Sequence, residues 1–431
     1  MSRFYPTKAE GVVVILFFYL ALSAAAITWN FVGPWVAHSA SAVLIVAAIL
    51  KATMTKIPRV ALTASAAGLV VLAYSFCLLD TQDVLLAGSW WAVCSSYFIL
   101  FHRQEIRSRV IVSIAIIVHV LFLLWAAFGL READPGVPFN KLTLIPVAEN
   151  GYIINIGMPG STKHFTATLA GMLLLWGIHR FLEGGAKPLH IAITGWAAYL
   201  TIFSASRAVY LGVAFALAAM ILNRRKPRML ASMLLLGVGV WACYGLPLVV
   251  GAVRPVLPGT IGVLLKTVED NPDVTAGRAW LWDYHLRVFS ENLLGGGRAA
   301  LVDLQTDVAL GLARGSSESF FTGLLAIYGL AAIAFFLVYI AGYVKALLNR
   351  DVEVAGLMMF VIITTATSSL FSDVYGPFSA VMLALVASRW NRHELRLGRK
   401  RYPRRARCSR VEAGQLHGAL TSQSLPVANG R

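Results

Sequence analysis

Three charged residues stand where an apolar chain has little reason to place them: Arg207, Arg278 and Glu318. Arg207 lies in Phe203-Ser-Ala-Ser-Arg-Ala-Val-Tyr210, between two apolar runs, where the chain must turn tightly or break a helix. A charge there is costly unless it is paired or faces a polar cavity; an arginine snorkelling from a helix end is the plainer alternative. Arg278 follows the flexible Gly277 in the first turn of an expected helix. Unpaired backbone N–H groups at such a terminus favour an anion, and a guanidinium adds a bidentate grip on phosphate oxygens. A surface ion pair with Asp273 is the competing account. Glu318 opens Ser316-Ser-Glu-Ser-Phe-Phe321 at the start of an apolar run. A carboxylate there can cap the helix or pair with Arg314. It can also serve as a general base, a role that neighbouring arginines weaken.

Other polar and aromatic residues gather around these three. Ser206 precedes Arg207, Ser319 follows Glu318, and Trp282 and His285 lie on the same expected helix as Arg278. Trp280 and Trp282 are either interfacial anchors or platforms for a sugar ring, and His285 is either a hydrogen-bonding group or plain surface. Asp283, Arg287 and Glu291, spaced four apart, read as an ion-pair ladder along one helix face. The run Gly295-Gly-Gly297 lacks a following Lys-Ser or Lys-Thr, so it is a turn rather than a nucleotide loop. No His/Cys cluster has metal-ligand spacing, and no metal or cofactor is expected. Asp373, in Ser372-Asp-Val-Tyr-Gly-Pro377, is a weaker candidate.

The elements that must position these residues are set by composition. The 431-residue chain is 58% hydrophobic and 13% charged, about half the charge of a soluble domain, so an all-α polytopic membrane protein is expected. A net charge of +16 would suit nucleic acid. The cations instead fall in short clusters between apolar runs and in the tail after Trp390, which is an orientation signal, and no nucleic-acid partner is expected. The four cysteines lie in apolar runs or in the tail, so no disulfide framework is expected.

Apolar runs suited to a hydrocarbon core of roughly 30 Å number about twelve. They are Gly11–Trp29, Ser39–Leu50, Val60–Leu79, Val84–Phe101, Val110–Leu130 and Phe165–His179, then Leu189–Phe203, Ala208–Leu222, Met229–Val250, Phe320–Val344, Val354–Phe371 and Pro377–Arg389. With the N-terminus inside, 27 of the 37 Lys and Arg residues fall on the cytoplasmic side, which puts both termini there. The first run also has the make-up of a cleavable signal peptide; a retained helix is preferred. One domain, 1–390, is expected, with outer loops 131–164 and 254–317 and a basic tail, 391–431, suited to disorder and to anionic headgroups. The first loop, with four prolines and Asn150-Gly, reads as irregular. In the second, Asp273 or Thr275 can cap a helix that starts near Gly277 and ends before Gly295.

Three landmarks now stand in order between oriented spans. They are Ser206-Arg207 at an outer helix break, Gly277-Arg278…Trp282 ending in Gly295–Gly297, and Glu318-Ser319…Ile327-Tyr-Gly-Leu330. In this, roughly Phe165–Tyr343 resembles the O-antigen ligase and Wzy-type polymerase family of bacterial membrane glycosyltransferases. The resemblance implies a reaction on the periplasmic face of the inner membrane. An undecaprenyl-diphosphate-linked glycan is the donor, a sugar hydroxyl is the acceptor, and no nucleotide sugar or obligatory metal takes part. It further implies that Arg207 and Arg278 stabilise the diphosphate leaving group, with inversion at the anomeric carbon. Where Glu318 stands, family members commonly have a His proposed to orient or deprotonate the acceptor, so this chain departs from the pattern at its base. A polymerase, joining lipid-linked repeat units for exopolysaccharide, capsule or O-antigen, is the preferred reading, with a chain-length regulator and export machinery as further partners. A ligase acting on lipid A core is the alternative. A lipid-linked oligosaccharide flippase is the reading from another class, although the chain lacks repeated halves and intramembrane charges.

Overall fold

In the computed structural model the residues described are 7–28, 35–79, 81–102, 104–127, 147–149, 152–154, 163–184, 187–204, 206–253, 278–297, 320–367 and 376–390. Among the described residues each of the twelve apolar runs is mainly helical. The first six helices are α1 (Lys8–Thr28), α2 (Trp35–Met54), α3 (Arg59–Leu78), α4 (Thr81–Phe101), α5 (Arg109–Ala127) and α6 (Lys163–Leu182). Then come α7 (Pro188–Phe203), α8 (Arg207–Asn223), α9 (Met229–Val253) and the loop helix α10 (Arg278–Glu291). The tenth apolar run is two helices, α11 (Phe320–Tyr328) and α12 (Ala332–Leu348), separated by a 3₁₀ turn at Gly329–Ala331; α13 (Val352–Thr367) and α14 (Pro377–Arg389) follow. By length and composition, four described stretches can cross a membrane: Arg59–Leu78, Asp83–Phe101, Phe165–Leu182 and Phe321–Leu348. Shorter apolar helices of 10–17 residues accompany them.

One expectation fails in the first long loop. Instead of purely irregular chain, Val147–Glu149 (β1) and Tyr152–Ile154 (β2) pair antiparallel, with Glu149 opposite Tyr152. The two residues between them in sequence are Asn150-Gly151, a pair that suits a two-residue hairpin.

Two helices form the centre of Met1–Trp390, one compact unit. Every described side chain of α14 is buried, and α13 is buried on all faces from Glu353 through Ala366, as expected of a helix that is apolar all round. Close approach to α13 depends on glycines in its neighbours. A Cβ on Gly212 of α8 would come within 2.7 Å of Thr364, and one on Gly171 of α6 within 3.0 Å of Phe360. Helix α1 joins this centre through Phe17, whose ring meets Phe378 edge-on at 5.6 Å. The peripheral helices turn apolar side chains outward; Ile15, Val70, Phe76 and Leu230 are each more than 70% exposed. A helical bundle with such a surface suggests membrane association, because water does not favour so much exposed apolar area.

Two clusters of buried charge are ion-paired at helix ends. Glu10 in the first turn of α1 accepts from Arg109 Nη2 at 2.7 Å, Arg107 N at 2.9 Å and Thr7 N at 2.8 Å, and Thr7 Oγ1 accepts from Glu10 N at 3.2 Å. This reciprocal capping box starts α1 and fastens it to the start of α5. Arg389, in the last turn of α14, bonds Asp351 at 2.6 Å, and Asp351 in turn accepts from Val354 N at the head of α13. Glu10, Asp351 and Arg389 each complement the dipole of their own helix, whereas Arg109, at the head of α5, is held there by Glu10.

Candidate functional site

The break expected before Arg207 is present. α7 ends at Phe203, and Ser206 is an extended N-cap (φ −98°, ψ 102°) that is buried. Arg207, half-buried, is the first residue of α8. Helices α8 and α9 form a hairpin closed at 224–228. There Asn223 donates to Ser232 Oγ and accepts from Arg228 N, both at 2.8 Å. Arg207 and Tyr244 each lie some fifteen residues from that turn, about 23 Å along their helices, so both belong to the opposite end of the bundle.

The loop helix docks at this same end. It begins at Arg278, one residue after the expected start, and ends at Glu291. Among its residues from Leu281 onward only Trp282 and His285 are buried. Trp282 meets the Tyr244 ring edge-on at 5.0 Å, and Tyr244 donates its hydroxyl to Ala366 O on α13 at 3.2 Å. His285 Nδ1 lies 3.0 Å from Thr322 Oγ1 on α11. Burial pushes the His285 imidazole down to about 4, so it is neutral at physiological pH. Both residues, expected at the substrate, are packed between helices. Arg287 pairs with Asp283 at 2.8 Å on the exposed face, which bears out the structural reading of that pair.

Beyond Glu291 the glycine run interlocks with the helix break. Gly296 N donates to Ala326 O (2.9 Å), Gly297 N to Ile327 O (3.1 Å) and Leu330 N to Leu293 O (3.0 Å). Gly295 and Gly329 are left-handed, at φ 93° and 56°, and face each other backbone to backbone. A Cβ on Gly329 would fall 2.2 Å from Leu293 O, and one on Gly295 would fall 2.4 Å from Ile327 O. Two tyrosine hydroxyls tie the junction to α3 and α4: Tyr74 of α3 donates to Leu294 O at 2.6 Å, and Tyr328 of α11 donates to Asp83 O of α4 at 3.0 Å. Tyr328 is fully buried and stacks on Phe335, which in turn packs on Trp90.

The bundle therefore gathers at one end Ser206, Arg207, the start of α10 at Arg278, Trp282, His285 and the head of α11. Arg314, Glu318, Ser319 and Asp373 lie outside the described residues. Sequence reasoning did not single out Thr322, Tyr244, Tyr74 or the pairing of Gly295 with Gly329. The apolar run Phe320–Val344 holds three glycines, Gly323, Gly329 and Gly342, and nothing local marks Gly329 as the break; the tyrosines resemble any other core aromatics. Among the described residues no group of three or more His, Cys, Asp or Glu side chains could hold a metal ion. No protein-family model matches this chain, and no curated protein matches it either.

Proposed function

We propose that this protein is a membrane glycosyltransferase of the Wzy polymerase type, joining undecaprenyl-diphosphate-linked oligosaccharides at the periplasmic face of a bacterial inner membrane. The observation that carries the reading is the junction of Gly295–Gly297 with Tyr328-Gly-Leu330. Two landmarks of the resemblance, separated in sequence by a polar loop, are stitched together by backbone hydrogen bonds. Arg207 and the head of the loop helix share an end of the bundle with that junction.

In this reading Arg207 and Arg278 contact the diphosphate of the donor. As the anomeric C–O bond breaks, negative charge builds on the leaving oxygen, and two fixed guanidinium groups stabilise it more in the transition state than in the ground state. The acceptor hydroxyl attacks from the opposite face and inverts the centre. Its proton passes to Glu318, or to water if that carboxylate only orients the hydroxyl. The products are a glycan longer by one repeat and a free lipid diphosphate. The twelve helices span the membrane with both termini cytoplasmic, 254–317 is periplasmic, and the basic tail 391–431 lies against the inner leaflet.

Substitution tests the assignment. Arg207→Ala and Arg278→Ala each abolish polymer while the protein still inserts at normal level, since a lost contact to a developing charge costs about 10²–10³ in rate. Normal polymer from either variant removes that residue from the site.

A further inference from the structure

We propose that His285 is a positioning residue: with Thr322 it forms the latch that sets the rotation of the loop helix and so aims its Arg278 end, an inference that rests on the function proposed above. The helix has fourteen residues, yet from Leu281 onward only two of its side chains, Trp282 and His285, are buried. Its far end is fixed by the Gly295–Gly329 junction. At its near end Trp282 and His285 are the buried side chains among those described, and Arg278 precedes them by four and seven residues, on the same helical stripe.

The two contacts do different work. The edge-on meeting of Trp282 with Tyr244 is attractive over a range of geometries. The bond from His285 to Thr322 is directional and weakens steeply off axis. An apolar residue at 285 would pack there without any desolvation cost, whereas an imidazole 1% exposed must keep its hydrogen bond. A leucine supplies adhesion; a histidine supplies adhesion and angle. Arg287 and Asp283 pair with each other on the solvent side and leave the orientation unconstrained.

The test uses the full-length protein in nanodiscs, with wild type, Thr322→Val, Thr322→Ser and His285→Phe. Hydrogen exchange of 279–286 is read beside the rate and KM of polymer formation from an undecaprenyl-diphosphate-linked oligosaccharide. Thr322→Val, which keeps the shape and removes the hydroxyl, raises exchange in this segment roughly tenfold. It also lowers kcat roughly tenfold or more at an unchanged folded yield, because misplacement on the order of 1 Å can cost about a hundredfold. Thr322→Ser restores both, and His285→Phe behaves as Thr322→Val does. Unchanged exchange in Thr322→Val and His285→Phe overturns the latch. Faster exchange with undiminished kcat overturns the positioning role. If wild type transfers no glycan, the proposed function fails while exchange still decides the latch.

Discussion

Gly329→Ala attacks the junction on which the account rests. The new methyl would lie 2.2 Å from Leu293 O and 2.5 Å from Gly295 N, both backbone atoms that cannot swing aside. At φ 56° an alanine also costs about 1 kcal/mol or more relative to glycine. Relieving the clash separates the two segments and removes three backbone bonds between them, each worth about 1 kcal/mol net. The sum is about 3–5 kcal/mol, which raises the local opening equilibrium by roughly a hundredfold or more. Hydrogen exchange of 292–297 and 326–330 in nanodiscs reads this directly. Gly237→Ala is the control: its Cβ meets nothing within 4 Å in a regular helix, so protection there is unchanged or improved. Undiminished protection in Gly329→Ala would refute the interlock.

Further outcomes follow from the buried polar groups. His285 is held near 4 when folded and near its ordinary value of roughly 6.5 when unfolded, so between those values only the unfolded chain takes the proton. Its contribution, up to about 3 kcal/mol, is present above pH 6.5 and is lost as the pH falls towards 4. Wild type should therefore lose more thermal stability between pH 7 and 4 than His285→Phe; parallel losses would contradict this. Arg389→Met leaves Asp351 buried without its partner and should cost about 3–5 kcal/mol in unfolding experiments, most of it recovered by adding Asp351→Leu. Glu10→Ala strands Arg109 and two backbone donors at the start of α1 and α5, and should lower the melting temperature more than an exposed Glu105→Ala.

The helical architecture was legible because each apolar run carries its own length and boundary signals. The loop helix, whose expected caps, Asp273 or Thr275, lie outside the described residues, was legible in its bounds: expected from near Gly277 to before Gly295 and found at Arg278–Glu291. Burial on one face of a polar helix was not. The Asp283–Arg287 pair marked an outward face, but that Trp282 and His285 are the residues packed inward depends on where α9 and α11 lie. The pairing of β1 with β2 was hidden because three-residue strands are too short to show a period. The partnership of Gly295 with Gly329 is non-local and depends on two backbones meeting, which no local pattern reports.

The central claim is settled most directly by purified protein in liposomes, supplied with an undecaprenyl-diphosphate-linked oligosaccharide and resolved by size on a gel. The account predicts a ladder at multiples of the repeat unit with no other protein present. An oligosaccharide that stays monomeric, but shifts to added lipid A core, would make the enzyme a ligase. Movement of the donor across the bilayer without any product would contradict the account and make the protein a transporter.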